Sequence, residues 1–297
     1  MPTKAGTVVI VGMPNVGKST LLNAALGTKL SIVTPKPQTT RKRVLGILTN
    51  DDNQIIFIDT PGHIKPKYEL HRTMIGYISD SIAYSEIVLV LIDINSFNNG
   101  ETLFSDEFIF LLKNCGKPII LCINKIDLLK NIKEVLPFIA ESAKLKLFNE
   151  IVPVSALKNI GIDELIKVLK NYLPESPFLY DAELISTQNE RFFVAEIIRE
   201  NIFNSYGDEI PFSTEVEISE FKERENGKWY ISADIIIERD SQKKIIIGEK
   251  GSKIKSVGER ARADIEKHLE MPVYLELFVK VRQKWRNDKN LLKSYGY

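Results

Sequence analysis

The architecture of the chain follows from a segment near its N-terminus, Val8-Val-Ile-Val-Gly-Met-Pro-Asn-Val-Gly-Lys-Ser19. The apolar run predicts a buried strand, and a helical pattern follows the segment as far as Leu26. Between them, Gly12 to Ser19 match the pattern G-x-x-x-x-G-K-[ST]. Glycines let backbone N–H groups close around phosphates, and the next helix faces them with its positive end. We expect Lys18 to contact the β- and γ-phosphates and Ser19 to bind Mg²⁺.

Apolar runs and helical patterns alternate along the first half of the chain. Uniformly apolar runs are typical of strands buried on both faces, and their alternation with helices predicts an α/β fold, a mostly parallel sheet with helices on both faces. Val44–Thr49 precedes the turn residues Asp51-Asp-Asn53, which predicts an antiparallel edge hairpin. The other predicted strands are Val8–Val11, Ile55–Ile58, Ile87–Ile92, Ile119–Ile123 and Ile151–Val154, and the later helices are 66–84, 100–114, 131–147 and 161–172.

A proline-rich break divides the chain, because Leu173-Pro-Glu-Ser-Pro-Phe178 cannot continue the preceding helix. We predict a first domain over 1–174, a linker over 175–189 and a second domain over 190–297. The element order α-β-β-α-α-β predicts a small α+β domain for the last of these. Its predicted elements are a helix over Arg191–Asn204, strands over Thr214–Glu223, Trp229–Glu238 and Val273–Val279, a turn at Glu225–Gly227, and helices flanking Gly248 and Gly251.

Composition and charge restrict the class of protein. The 297 residues are 44% hydrophobic and 27% charged, which excludes a disordered or collagen-like chain. Two cysteines, no bilayer-length apolar run and no signal-peptide core predict a soluble protein of a reducing compartment. Residues 181–240 carry 6 Lys and Arg against 15 Asp and Glu, whereas residues 241–297 carry 14 against 7. This basic end indicates a polyanion-binding module or, alternatively, a solvated basic surface.

Three further motifs follow later strands. Asp59-Thr-Pro-Gly62 suits an aspartate that holds Mg²⁺ through water and a glycine N–H that faces the γ-phosphate. Asn124-Lys-Ile-Asp127 supplies a carboxylate that accepts two hydrogen bonds from guanine, which adenine cannot offer. In Ser155-Ala156, a backbone N–H can meet guanine O6. Because parallel strands present ligand-binding groups at their carboxyl ends, the set predicts one GTP site.

Single residues near these motifs are candidates for catalysis. Thr40, rather than Thr39, is the candidate that binds Mg²⁺ while GTP is present and releases it afterwards. His63 directly follows Asp-Thr-Pro-Gly, where a side chain can orient the attacking water; the alternative is an ordinary exposed loop imidazole. Arg41 either stabilises charge in the transition state or belongs to a solvated basic loop.

A second candidate site lies in the basic region. Gly248-Glu-Lys-Gly251 fits the G-x-x-G loop with which KH domains clamp a single-stranded RNA backbone. Glu249 weakens the positive charge of the loop, and nearby lysines restore it. In Lys280-Val-Arg-Gln-Lys-Trp-Arg286, cations alternate with apolar residues, so that Trp285 would stack on a base; the alternative is that it caps the domain core. The RNA-binding candidates are Gly248, Lys250, Gly251, Lys253, Lys255, Lys284, Trp285 and Arg286.

Taken together, these segments resemble the Era family of bacterial GTPases over the whole chain. The nucleotide motifs are common to many GTPases, so the second domain makes the resemblance specific. The segments concerned are Pro37–Arg41, Glu190–Glu200, Glu238–Lys243, Ile245–Lys255 and Val273–Val279. The resemblance implies a P-loop GTPase domain with Mg²⁺ and GTP, then a type II KH domain that binds 16S rRNA near its 3′ end. It further implies a role in assembly of the 30S subunit, and a cytoplasmic location with peripheral association with the inner membrane.

Two positions qualify the resemblance. Era-like proteins usually carry an apolar residue where this chain has His63. The slow hydrolysis that the family performs without a water-orienting side chain is therefore not directly expected of this chain. Asn15 occupies the position at which related GTPases hold a K⁺ ion, which makes K⁺ a further candidate cofactor.

Two functions fit the sequence: a GTPase whose nucleotide state gates RNA binding, and a constitutive rRNA-binding assembly factor whose nucleotide site is mainly structural. We expect a monomer. The GTP-binding candidates are Gly12, Met13, Pro14, Asn15, Val16, Gly17, Lys18, Ser19, Asp59, Thr60, Pro61, Gly62, Asn124, Lys125, Asp127, Ser155 and Ala156. The catalytic candidates are Lys18, Thr40, Gly62 and His63, and the metal-binding candidates are Ser19, Thr40 and Asp59.

Overall fold

The computed structural model describes residues 2–98, 105–207, 209–225 and 227–297. The chain forms two compact units. The first contains Met1–Ser31, Thr40–Pro66 and Thr73–Thr187, and the second contains Ile32–Thr39, Lys67–Arg72 and Gln188–Tyr297. Two short segments from the first half of the chain are therefore part of the second unit, which no local sequence pattern indicated.

A six-stranded sheet forms the centre of the first unit. Its strands are β1 (Lys4–Gly12), β2 (Val44–Thr49), β3 (Asn53–Asp59), β4 (Ile87–Asp93), β5 (Ile119–Asn124) and β6 (Glu150–Pro153). They lie in the order β2-β3-β1-β4-β5-β6, and β2 is antiparallel to β3 whereas the other neighbours are parallel. The helices are α1 (Lys18–Leu26), α2 (Glu69–Tyr84), α3 (Ile94–Asn98), α4 (Asp106–Lys113), α5 (Leu136–Ala143) and α6 (Ile162–Tyr172). The predicted α/β class and antiparallel edge strand are confirmed.

Strand burial and register together form the edge at which ligands bind. All seven residues of β3 and all six of β5 are buried, which explains why their sequences do not alternate. Ile10 is paired with Asp59, Gly12 with Leu91, and Asp93 with Asn124. The carboxyl ends of β1, β3, β4 and β5 therefore meet at one edge of the sheet.

The segment after α6 remains associated with the first unit. The side-chain oxygen of Gln54, on β3, accepts hydrogen bonds from the N–H groups of Leu179 (2.8 Å) and Tyr180 (3.0 Å). Further along, the N–H of Ile47 on β2 donates to the carbonyl of Ile185 at 2.7 Å. Part of the predicted linker 175–189 thus runs along the edge hairpin, because backbone and side-chain groups of β2 and β3 bind it.

The second unit combines a three-stranded sheet with helices. Its strands β7 (Glu215–Lys222), β8 (Trp229–Ile237) and β9 (Val273–Val281) lie in the order β7-β8-β9, with β7 antiparallel and β9 parallel to β8. Its helices are α7 (Glu190–Ser205), α8 (Ile210–Ser213), α9 (Asp240–Ile247), α10 (Ser252–Leu269) and α11 (Lys289–Ser294). Apolar residues of α7, β8 and α10 form one core. The predicted α+β order is present.

Short helices were missed where the sequence shows no periodicity. These include α3, α8 and α11, each six residues or shorter, which is too short to display a helical repeat. The predicted helix over 100–114 includes residues 100–104, and the predicted turn at Glu225–Gly227 includes Asn226, which lie outside the described residues.

Candidate nucleotide and RNA sites

The loop between β1 and α1 has the conformation of a phosphate cradle. Asn15 and Gly17 have φ angles of 62° and 98°. A Cβ on Gly17 would lie 2.3 Å from Asn124 Nδ2, and a Cβ on Gly12 would lie 2.3 Å from the carbonyl oxygen of Leu91. Because only glycine avoids both overlaps, close packing against β4 and β5 explains both glycines of the motif.

Lys18 is held at the centre of this loop. Its side chain is buried, and its amine donates hydrogen bonds to the carbonyl oxygens of Met13 (2.9 Å) and Gly12 (3.3 Å). Burial lowers the pKa of Lys18 to about 8, and the nearby Asp59 carboxylate opposes this shift. A phosphate beside the amine would favour its charged form, so the lysine fits a β/γ-phosphate contact.

Three oxygen-bearing side chains converge next to the loop. The Ser19 hydroxyl donates to Asp59 Oδ2 at 2.7 Å and lies 2.8 Å from Thr40 Oγ1. Asp59 is fully buried, burial raises its pKa, and its Oδ1 has no hydrogen-bond partner within the described part of the chain. An unsatisfied buried carboxylate oxygen beside two hydroxyls suits Mg²⁺, which prefers oxygen ligands. The hydroxyl of Thr39 bonds instead to that of Thr34, at 2.6 Å.

Gly62 lies directly against the phosphate loop. A Cβ on this residue would come within 2.8 Å of the backbone of Pro14, so only glycine allows this approach. Thr60, two residues earlier, donates its hydroxyl to the carbonyl of Ile10 at 2.7 Å and fixes the segment to β1. The N–H of His63 donates to the carbonyl of Gly12 at 3.0 Å. The Asp-Thr-Pro-Gly motif therefore lies beside the cradle.

The imidazole of His63 lies on the side of α4. Its ring centroid is 5.0 Å from that of Phe108, and it lines a cavity of about 480 Å³ between α2 and α4 together with Glu107. Burial lowers the pKa of His63, although Glu107 opposes the shift. A neutral imidazole packed in this way is not grouped with Ser19, Thr40 and Asp59 in this structure.

The base-recognition motifs form one connected network. Asn124 donates from Nδ2 to the carbonyl of Val16 (2.8 Å) and accepts from the N–H of Ala156 (3.0 Å). It thereby ties the phosphate loop to the segment after β6. Asp127 Oδ1 accepts from the hydroxyl of Ser155 at 2.5 Å, which orients the carboxylate that would bind guanine N1–H and its amino group.

Lys125 extends along the same edge of the sheet. It has a φ angle of 68°, and its amine bonds to the carbonyl of Asn15 (2.9 Å) and to Asp93 Oδ2 (2.6 Å). These bonds hold its aliphatic stem across the base site, where it can cover one face of a purine.

The structure contradicts one of the two interpretations that the sequence left open for Arg41. Its side chain is only 1% exposed and is among the largest fully buried side chains of the chain. The solvated basic loop is therefore wrong for this residue, because tertiary packing encloses the guanidinium. The other interpretation, stabilisation of charge in the transition state, stays a prediction.

The G-x-x-G loop joins α9 to α10 in the second unit. Gly248, Lys250 and Gly251 have φ angles of 71°, 48° and 79°. A Cβ on Gly248 would lie 2.7 Å from the side chain of Lys253, whereas a Cβ on Gly251 would meet nothing within 4 Å. Gly251 therefore leaves open space at the N-terminus of α10, where a phosphate can approach the backbone. Lys250, Lys253 and Lys255 are exposed around it.

A groove that the sequence reasoning missed lies between α10 and β9. It has a volume of about 300 Å³, and α10 and β9 supply its lining residues Ile254, Lys255, Gly258, Glu259, Arg262, Leu275 and Leu277. Since β9 is an edge strand, its free backbone groups lie beside the groove. Gly258, a glycine in a helix interior, was an available signal, because such a residue lowers helix stability and often has a packing or functional reason.

Trp285 and Arg286 do not form the predicted RNA surface. Trp285 is 0% exposed, and its Nε1–H donates to the carbonyl of Ser213 at 2.9 Å. The stacking prediction is wrong and the core-capping alternative is right, because the ring is fully buried and Ser213 of α8 accepts its hydrogen bond. Arg286 forms an ion pair with Glu238 and lies 4.5 Å over the ring of Tyr68. Lys284 remains exposed.

Comparisons with known proteins match both halves of the chain. The family model of the 50S ribosome-binding GTPases matches residues 7–125, and that of the KH domain matches residues 209–286. One similar structure is Era in complex with MgGDPNP and nucleotides 1506–1542 of 16S ribosomal RNA. Another is a variant Era from Aquifex aeolicus bound to GDP·AlF₄⁻. Each is 42% identical to this chain with a TM-score of 0.94, and 99% of both chains is covered. Because this likeness spans both units, the chain belongs to the Era family of GTPases.

Proposed function

We propose that this chain hydrolyses GTP and binds the 3′ region of 16S rRNA during assembly of the 30S subunit. The observation that carries the nucleotide half is the network through Asn124, which joins the phosphate loop to the guanine-binding residues. The similar Era structure with MgGDPNP and 16S rRNA nucleotides supports both halves of the proposal.

The hydrolytic step rests on positioning and on charge. Backbone N–H groups of the loop and the Lys18 ammonium would hold the β- and γ-phosphates, and the Gly62 N–H would face the γ-phosphate. Ser19, Thr40 and Asp59 would hold Mg²⁺, which bridges phosphate oxygens and neutralises their charge when bound. The His63 ring packs against Phe108 and away from Ser19, Thr40 and Asp59, so we do not assign it the attacking water in the conformation seen here.

Single-stranded RNA would bind along the groove between α10 and β9. The open backbone at Gly251 suits a phosphate, Lys253 and Lys255 add positive charge, and Leu275 and Leu277 offer an apolar floor to the bases. Gly258 keeps the groove free of a side chain at its centre. These features account for RNA binding without Trp285.

A nucleotide-gated mode of action is proposed in preference to a constitutive one. The second unit contains Ile32–Thr39, the segment that directly precedes the candidate Mg²⁺ ligand Thr40. A change in the position of Thr40 therefore acts on residues that belong to the RNA-binding unit. Equal RNA affinities for the GDP-bound, GDPNP-bound and nucleotide-free protein would instead favour the constitutive assembly factor.

Location and assembly state are part of the same proposal. In the described ranges of the chain, no helix is both long enough and apolar enough to cross a membrane. We propose a monomer in the cytoplasm with peripheral association with the inner membrane, to be tested by fractionation and by light scattering.

The test compares two glycine-to-aspartate variants in the second unit. Gly251→Asp places a carboxylate where the RNA phosphate would lie, and Gly227→Asp places one in the β7–β8 turn; both glycines have positive φ and open space around them. We expect Gly251→Asp to lose binding to a 16S 3′-end oligonucleotide at least tenfold while its GTP affinity stays unchanged, and Gly227→Asp to keep both. Unchanged RNA retention by Gly251→Asp would refute the RNA-binding half of the proposal.

The GTPase half is tested by turnover measurements, and absence of GTP turnover in both K⁺ and Na⁺ buffers would refute it. Faster turnover in K⁺ would support a K⁺ site at Asn15.

A further inference from the structure

Within the second unit, the segment Ile32–Thr39 is bound at three points to one helix. The N–H of Val33 donates to Glu200 on α7 at 3.1 Å. The amine of Lys36 donates to the carbonyl oxygens of Phe203 and Tyr206 at the C-terminal end of the same helix, where a cation is favoured by the helix dipole.

The third point is the guanidinium of Arg199. Its Nη2 donates to the carbonyl oxygen of Thr39. The side chain is 1% exposed, and Glu196 on the preceding turn of α7 accepts from Nε at 2.8 Å. Because the ion pair fixes the guanidinium and burial excludes competing water, the Thr39 carbonyl meets a donor that is already oriented.

The next residue in the chain is Thr40, which belongs to the first unit. Its hydroxyl is 2.8 Å from that of Ser19, beside Asp59. The carbonyl of Thr39 and the N–H of Thr40 are parts of one planar peptide group. A bond that holds the carbonyl therefore restricts the orientation of Thr40. In this structure the Arg199 bond and the Ser19–Thr40 contact are present together, so the anchored segment is compatible with Thr40 in a position to bind Mg²⁺.

We propose that Arg199 is a positioning residue for Mg²⁺–GTP: it holds Thr40 beside Ser19 through the Thr39 carbonyl. The RNA-binding unit thereby favours the triphosphate state of the nucleotide site, and by linkage the triphosphate favours the arrangement of α7 seen here. This inference rests on the proposed function and adds to it the residue through which the site is regulated.

The test measures GDPNP and GDP affinities separately. In Arg199→Met, the affinity for GDPNP with Mg²⁺ should fall about tenfold, and the Mg²⁺ concentration for half-maximal GDPNP binding should rise. The affinity for GDP should stay within about twofold of the wild-type value, because GDP does not use Thr40. Arg199→Lys keeps a donor and should restore part of the loss. Arg191→Met on the same helix, where the side chain is exposed, is the matched control.

A general structural role would lower GDP and GDPNP affinities together, and either that result or an unchanged GDPNP affinity would overturn the proposal. If Arg199→Met does not fold, Lys36→Met removes a neighbouring anchor without leaving a buried ion unpaired, and it should show the same selective loss. Wild-type protein that binds GDPNP but neither hydrolyses GTP nor binds RNA would refute the proposed function and leave the role of Arg199 standing.

Discussion

Thr39 and Thr40 are adjacent and chemically identical, yet their hydroxyls have different partners. Thr40 lies beside Ser19 and Asp59, whereas Thr39 bonds within the segment that α7 holds. The backbone turns the two side chains in different directions, and each meets a different group of polar atoms. At the scale of single residues, these different partners are the reason why we propose Thr40, and not Thr39, as the Mg²⁺ ligand.

Asp127 should control the choice of purine. We expect Asp127→Asn to weaken GTP binding by roughly 100- to 10,000-fold, since two hydrogen bonds to a charged acceptor contribute about 1.5–3 kcal/mol each and 1.4 kcal/mol is about tenfold. The new amide can donate to the C2 carbonyl of xanthine, so xanthosine nucleotides should bind better to the variant than guanosine nucleotides. Fluorescence titration with both nucleotides is the measurement, with Asp163→Asn on the exposed face of α6 as control. An unchanged preference for guanine would contradict this assignment.

Lys18 should make nucleotide affinity dependent on pH in the alkaline range. Because burial lowers its pKa to about 8 in the free protein, the amine is mainly charged at pH 7 and mainly neutral at pH 9. Phosphate binding favours the charged form, so affinity for GDP should fall as pH rises through about 8, by up to roughly tenfold per unit. Calorimetric titrations between pH 7 and 9 would measure this. A Lys18→Arg variant that still binds GDP should lack the dependence; a flat profile for the wild type would disprove it.

At the scale of elements, α10 carries both features on which the proposed RNA site rests. Its first turn begins at Gly251, whose φ of 79° ends the G-x-x-G loop, and its middle presents Gly258 to β9. A continuous helix thus fixes the distance between the loop proposed to bind a phosphate and the groove proposed to bind the bases.

Two substitutions at Gly258 should have different effects on RNA binding and on the free energy of unfolding. A Cβ at this position would lie 3.4 Å from Leu277, an ordinary contact distance. We therefore expect Gly258→Ala to keep RNA binding and to raise the free energy of unfolding by about 0.5–1 kcal/mol. Gly258→Phe should fill the groove and weaken binding of a 16S 3′-end oligonucleotide at least tenfold, measured by fluorescence anisotropy. Wild-type affinity in the phenylalanine variant would show that the bases bind elsewhere.

Trp285 should contribute to the free energy of unfolding and not to RNA affinity. Its ring is fully buried and its N–H is bonded to Ser213, so Trp285→Ala should lower the free energy of unfolding by about 3–5 kcal/mol. Trp285→Phe should cost less and keep RNA affinity near the wild-type value. Urea denaturation followed by circular dichroism, together with an RNA titration, tests both. A phenylalanine variant of normal stability that fails to bind RNA would restore the stacking interpretation.

At the scale of the whole molecule, charge is divided between regions of the sequence. Residues 181–240 carry a large acidic excess and residues 241–297 a basic one. The basic side chains Lys253, Lys255 and Arg262 lie at the loop and the groove. A near-neutral chain can therefore bind a polyanion at one site without a general attraction to it.

The salt dependence of RNA binding should show whether these cations contact RNA phosphates. Each phosphate neutralised contributes about −0.7 to the slope of log K against log salt for single strands. Lys255→Gln should therefore make the slope less steep by about 0.7, whereas Lys228→Gln, before β8, should leave it unchanged. Titrations over a range of KCl concentrations would give both slopes. Equal changes in the two variants would mean that the cations act only through overall charge.

Local sequence was sufficient for the order of the strands and the longer helices, and for the prediction of a nucleotide site at the carboxyl ends of the strands. Phosphate binding needs glycines at fixed spacing next to a strand, and guanine recognition needs Asn124 and Asp127 after another strand. Each requirement is therefore visible in the sequence as a short motif. The parallel register then brings Gly12, Asp59 and Asn124 to one edge, as strand topology requires. Burial on both faces likewise appears directly as uniformly apolar runs.

Packing between distant segments decided the remainder. Arg41 is buried, and Trp285 is buried and bonded to the distant Ser213. The groove proposed for RNA exists only where α10 meets β9, and the Thr39 carbonyl meets Arg199 across 160 positions. A cation or an aromatic ring in a loop has the same local pattern whether it faces water or a core. Its surroundings arise from contacts of large sequence separation, which no local periodicity records, and those contacts determine whether the side chain binds a ligand or stabilises the fold.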